Sequence, residues 1–210
     1  MTSRTRWVRN ALTGVGLLAS LAVPAQAGVI EGPGPGRRAP GVVWVDSLPT
    51  AVAARLERGP RRWFWQRRPP EPPLPRITIR GGRFRPALQV TPVGSEVVIA
   101  NEDRLWHGVF SMTAGHMLDR GKRPPGALDT LRATHAGRVQ LRCDLHADES
   151  SWWVVTPSRA YAIADSTGRW RLPELPAGRY ALRAWRPGGR VLTRTVEVPR
   201  RGASEVRWRW

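Results

Sequence analysis

The chain has 210 residues, 41% of them hydrophobic and 24% charged, and carries a formal net charge of +18. That length and apolar share suit one or two compact domains and exclude both a disordered chain and a membrane bundle. Arginine supplies almost all of the excess charge, with Lys122 the sole lysine; these residues are scattered along the chain instead of sharing one periodic face, so they read as a solvated basic surface that favours anionic partners.

Residues 1–27 read as a secretory signal: Arg4, Arg6 and Arg9 form a basic start, 11–23 is apolar, and Ala25-Gln26-Ala27 supplies small residues for cleavage. The apolar run is too short and too rich in Gly and Ser for a comfortable membrane span. The expected mature protein begins at Gly28 and works in the periplasm or outside the cell, which argues against nucleic acid as a partner. Residues 28–76 form an N-terminal strand and a Pro/Arg-rich linker. Within them 42–45 predicts a strand, and 51–58 a short helix with Thr50 before it and Gly59 after it. Residues 61–68 interleave Trp63, Phe64 and Trp65 with Arg, a composition suited to peripheral contact with an acidic or envelope surface, or to an exposed linker. Residues 69–75 form an extended Pro-rich connector.

Short β-rich runs follow at 77–79, 87–90, 96–100, 108–112, 138–142 and 152–155, separated by Gly81-Gly82, Pro92-Val93-Gly94 and Pro124-Pro125-Gly126. Many short strands at this spacing predict an all-β sandwich, assigned to 77–158. Val139, Leu141 and Cys143 alternate, so Cys143 closes a strand on its buried face. It is the only cysteine, and in an exported protein it has no internal disulfide partner. His146 follows in a polar loop, and His107 ends the loop that leaves strand 96–100. Two imidazoles and a thiolate match the trigonal set of a type 1 copper centre, completed by a weak axial ligand. C-x-x-H alone is a weak signal; joined to N-x-D-x-x-x-H in a β context it becomes fairly specific. His116 and His135 stand in turn-rich polar segments and are left outside the set.

The stretches Arg83-Phe84-Arg85-Pro86, Val93-Gly94-Ser95-Glu96-Val97, Asn101-Glu102-Asp103, His107-Gly108-Val109-Phe110-Ser111 and Cys143-Asp144-Leu145-His146 resemble the cupredoxins, specifically the plastocyanin-like, methylamine-utilisation type. That label names no substrate for this chain. The resemblance covers 77–155 and implies one copper ion held by His107, Cys143 and His146. The family pattern places Met three residues after the second histidine, where this chain has Glu149. A carboxylate is a harder donor than a thioether, so it favours Cu(II), lowers the potential and shifts the colour from blue toward green or red, as in red copper proteins. Alternatives are Asp148 in that role, or Glu149 in solvent with water, Met112 or Met117 near the metal.

Residues 159–210 predict strands at 169–172, 179–185, 191–198 and 205–210. The runs D-x-x-G-x-W-x-L at 165–172 and L-P-x-G-x-Y-x-L at 175–182 resemble the carboxypeptidase regulatory-like or transthyretin-like β-sandwich modules, a scaffold signal. This segment is short for a whole sandwich, so strand 42–45 is expected to fold back beside it, with the cupredoxin-like unit inserted between. The chain lacks the further His clusters of multicopper enzymes and the G-x-S-x-G, P-loop and H-E-x-x-H motifs, so catalysis is not expected. Two functions follow: an exported single-copper electron carrier with an acidic cytochrome or dehydrogenase as partner, or a secreted binding module or copper store whose cupredoxin site is degenerate.

Overall fold

The computed structural model describes residues 27–34, 40–59 and 71–209. Apart from Ala27, the expected signal segment lies outside the described residues, as does the basic aromatic stretch 61–68. The chain begins with β1 (Ala27–Pro33), β2 (Val42–Val45) and helix α1 (Thr50–Arg58). Then come β3 (Arg76–Ile79), β4 (Phe84–Arg85), β5 (Leu88–Pro92), β6 (Glu96–Asn101), β7 (His107–Ser111), β8 (Leu118–Arg123), β9 (Leu128–Arg132), β10 (Gly137–Arg142) and β11 (Ser150–Thr156). The C-terminal part adds β12 (Tyr161–Ile163), β13 (Arg169–Arg171), β14 (Leu175–Pro176), β15 (Gly178–Trp185), β16 (Leu192–Val198) and β17 (Ala203–Glu205).

The fold is all-β and built from two sandwiches. In the first, a sheet ordered β5-β11-β10-β7-β8 faces one ordered β4-β3-β6-β9. Period-2 alternation sends Ile77 and Ile79 of β3, Val97 and Ile99 of β6, and Val139 and Leu141 of β10 into one apolar core, which Trp153 and Val155 complete. Trp153 satisfies its indole N–H by donating to Thr91 Oγ1 at 2.8 Å. In the second sandwich, a sheet ordered β12-β2-β15-β16 covers strands gathered around β1, which pairs with β13, β14 and, in parallel, β17. Its core includes Ile30, Val43, Val45, Trp170, Leu172, Leu182 and Val206.

Strand β2 explains why its sequence, Val-Val-Trp-Val, is apolar at every position. Val43 and Val45 enter the second core, while Val42 and Trp44 enter a seam with Leu88, Val90, Val154 and Trp185 from both sandwiches. A strand buried on both faces reads as a continuous apolar run. It lies between β12 and β15, antiparallel to each, and so beside the C-terminal strands. Trp152 and Trp185 meet edge to face across the seam with centroids 4.9 Å apart, and the Arg138 guanidinium lies 5.5 Å from the Trp185 ring centroid.

Helix α1 begins one residue earlier than expected: Pro49, not Thr50, occupies the N-cap, while Gly59 ends the helix at φ 66°. Strands β8 (LDRGKR) and β9 (LDTLR) carry no apolar alternation because each is an edge strand, where charged side chains blunt further pairing. The strand expected over 205–210 is displaced to Ala203–Glu205. Its parallel register with β1 runs from Val29↔Ala203 to Glu31↔Glu205, and after one further bond from Val206 N–H to the Glu31 carbonyl the ladder ends.

Leu182 is fully enclosed between β2 and β16. Leu182→Ala is expected to lower unfolding free energy by about 2–5 kcal/mol through lost burial and a residual cavity. A urea titration checks this, and a loss well under about 1 kcal/mol would contradict the enclosed position.

Candidate metal centre

The end of β6 sets the first half of the centre. Asn101 donates its side-chain amide to the Leu105 and Arg123 carbonyls (2.8 and 3.1 Å) and accepts from the Asp103 N–H at 3.0 Å. Asp103 Oδ2 accepts from the Gly82 N–H at 2.8 Å, so the loop is tied to the turn between β3 and β4. That amide is the main reason the Asp103 carboxyl sits below its ordinary range, with the Arg104 amide and His107 adding to it. His107 then opens β7 fully buried, with Nε2 3.4 Å from Asp103 Oδ2. The contact is an ion-pair distance without hydrogen-bond geometry, and Nε2 has no other partner. The opposite nitrogen, Nδ1, faces Cys143 Sγ at 3.7 Å and Glu149 Oε2 at 2.9 Å.

The β10–β11 loop sets the second half. The strands pair from Gly137↔Val155 to Arg142↔Ser150, and the Cys143 N–H extends the closure by donating to the Glu149 carbonyl at 3.2 Å. The Glu149 N–H in turn donates to the His146 carbonyl at 3.2 Å. This short loop therefore turns residues 143, 146 and 149 toward one point. His146 Nδ1 lies 3.5 Å from Cys143 Sγ and 3.3 Å from Glu149 Oε1. Gly108, next to His107, is required by close approach: a Cβ there would overlap the Asp144 carboxylate.

His107, Cys143, His146 and Glu149 are thus brought together, with one donor atom from each all within 4.8 Å of one another. Three are buried, and only His146 reaches solvent, with 36% of its side chain exposed. Asp148 is exposed, and Met112 and Met117 are 71% and 70% exposed in a separate cleft. His116 is turned onto Gly137, and His135 Nδ1 bonds the Thr134 hydroxyl. Asp103, whose carboxylate faces the far side of the His107 ring, carried a legible signal as the acidic member of the N-x-D-x-x-x-H spacing, although sequence reasoning gave it no role.

Burial pushes the Cys143 thiol up, and the Glu149 charge adds to this; the amides of Leu145, Gly108 and His146 act in the opposite direction. Without metal the sulfur is held as a thiol at neutral pH, surrounded by donors that suit a thiolate. The N···S spacing fits one ion, while His107 Nδ1 and Glu149 Oε2, at 2.9 Å, stand at direct hydrogen-bond distance. Bonds of ~2.1 Å to nitrogen and ~2.3 Å to sulfur, about 110–120° apart, separate N from S by about 3.6–3.8 Å. The two N···S distances are 3.7 and 3.5 Å. The donor set, two imidazoles, one thiol and one carboxylate, suits a borderline first-row metal such as copper or zinc and does not suit magnesium or calcium.

No protein family matches the chain, and no curated protein does. Solved structures similar to part of it are cupredoxins. The purple cupredoxin from Nitrosopumilus maritimus is 18% identical over 39% of this chain and 99% of its own, with a TM-score of 0.37. The Cu(I) form of an amicyanin variant is 19% identical over 39% of this chain and 81% of its own, also at 0.37. A second reduced amicyanin variant, at pH 4, is 18% identical over 40% of this chain and 84% of its own, at 0.38.

Two outcomes follow from this geometry. Asp103→Ala frees the His107 ring from the group beside its far nitrogen, so copper affinity is expected to fall about 10–100-fold in a competitive chelator titration; unchanged affinity would deny Asp103 an orienting role. In metal-free protein, alkylation of Cys143 is expected to be slow at pH 7 and to rise with pH beyond the ordinary thiol range, because the raised pKa leaves little thiolate below it. A pH–rate profile already flat at pH 7 would contradict this.

Proposed function

We propose that this protein is an exported, single-copper electron carrier whose site is perturbed by Glu149. The observation that carries the reading is the meeting of His107, Cys143, His146 and Glu149 in one cluster of which only His146 touches solvent. Copper bound there supplies a one-electron couple between Cu(I) and Cu(II). The chain's own residues do the rest. The sheet pairing of β10 with β11 and the Asn101 bonds hold the donors against rearrangement, and the apolar core beneath Cys143 excludes water. The Glu149 carboxylate adds negative charge, which favours the higher oxidation state and lowers the potential relative to a thioether in that place.

The half-exposed His146 edge offers the electron path. Leu105, Trp106 and Leu145, exposed at 57%, 54% and 42%, stand in the same two loops and offer apolar side chains suited to a transient protein contact. The net charge of +18 suits an acidic partner, either a cytochrome or a dehydrogenase, in the periplasm or outside the cell. The basic aromatic stretch 61–68 suits peripheral contact with the envelope. In this reading the second sandwich, resembling a transthyretin-like module, is scaffold, and the protein catalyses no reaction of its own.

Visible absorption and EPR spectra after Cu(II) addition test the reading. An intense thiolate-to-copper band is expected, absent in Cys143→Ala, and shifted, with a raised reduction potential, in Glu149→Gln. A colourless protein with only weak copper signals that Cys143→Ala leaves unchanged would reject electron transfer and leave a secreted binding module in its place.

A further inference from the structure

Methionine is scarce in this chain, and two of its three methionines, Met112 and Met117, line one cleft. Strands β7 and β8 form a hairpin whose last pair is Ser111↔Leu118. The next positions outward are 112 and 117, flanking a turn closed by the His116 N–H donating to the Thr113 carbonyl at 2.8 Å. Both side chains line one open cleft of about 530 Å³, together with Phe110, Asp119 and Asp144. At 71% and 70% exposure neither is placed there by packing.

What distinguishes a methionine from a leucine at such a position is its sulfur. Thioethers are soft donors that select Cu(I) over harder cations. The Asp119 and Asp144 carboxylates lower the local cost of bringing a cation to a chain of net charge +18. The cleft also adjoins the inner cluster through the backbone: Asp144 follows Cys143, and its carboxylate rests against Gly108, which follows His107. His116 takes no part, since its ring is turned onto Gly137.

We infer that Met112 and Met117 form a second, surface Cu(I) site at the tip of the β7–β8 hairpin, where copper is captured outside the buried cluster. Passage of the ion from there to His107, Cys143, His146 and Glu149 rests on the copper reading above; binding at the thioethers does not. No change of oxidation state is involved.

Anaerobic Cu(I) titration of the full chain in competition with bicinchoninate tests this, using Met112→Leu/Met117→Leu, Cys143→Ser and the triple combination. Leucine keeps the apolar surface and removes only sulfur. The wild type is expected to bind one equivalent more than the double leucine variant, and Cys143→Ser one more than the triple variant. Equal stoichiometry in the wild type and the double leucine variant, or in Cys143→Ser and the triple variant, would overturn the inference. One equivalent in wild type and Cys143→Ser, with none in the leucine variant, would uphold the thioether site while rejecting copper at the buried cluster.

Discussion

The antiparallel closure of β10 on β11 is the constraint on which the rest of the centre depends. Its ladder runs without interruption up to Arg142↔Ser150, and the Cys143 N–H bond to the Glu149 carbonyl carries it one step further. That leaves a loop too short to wander. Three of the four candidate donors are on it at three-residue intervals, so a single backbone closure aims a thiol, an imidazole and a carboxylate at one point. The fourth, His107, comes from a neighbouring strand and is aligned by a separate device, the Asn101 and Asp103 bonds that hold its approach loop.

Such a cluster is costly to bury. A carboxylate, a thiol and two imidazoles removed from water lose solvation that contacts among themselves return only in part. The costs are visible in the thiol held above its ordinary range and in His107 Nε2, which has Asp103 at ion-pair distance but no hydrogen bond. They are offset by the burial of the apolar core that includes Ile79, Val109, Val139, Leu141 and Trp153 together with Cys143, and by backbone amides that favour the charged sulfur. A positive ion would relieve all of these at once, by replacing the thiol proton and compensating the Glu149 charge.

The second sandwich bears on the centre through the seam. Strand β2 belongs by pairing to the C-terminal sheet but turns Val42 and Trp44 toward Leu88, Val90 and Val154. Of these, Val154 lies on β11, the strand that closes the ligand loop, and its neighbour Trp152 meets Trp185 of β15. The outer face of the metal-site sheet is thus covered by protein, leaving the loop end of that sandwich, with His146, open to solvent.

Much of this was legible in the sequence, and the parts that were not share one cause. Inward alternation marked β3, β6, β10 and β15, and scarcity marked Cys143, because an isolated thiol in a chain read as exported has few structural uses. Edge strands β8 and β9 left no periodic trace, since only one side of each pairs and neither face is fully buried. Residue types, spacing and strand context named His107, Cys143 and His146 as candidates, and the cupredoxin resemblance left Glu149, Asp148, Met112 and Met117 as competing completions. By itself, then, the sequence determined the strand-rich fold class and the chemical types available, because periodicity and residue identity are local properties. Only the tertiary structure decided that Glu149 turns inward while the methionines stay outside, and that β2 joins two cores. Those outcomes depend on which strands become neighbours, and contacts between residues distant along the chain are set by packing of the whole.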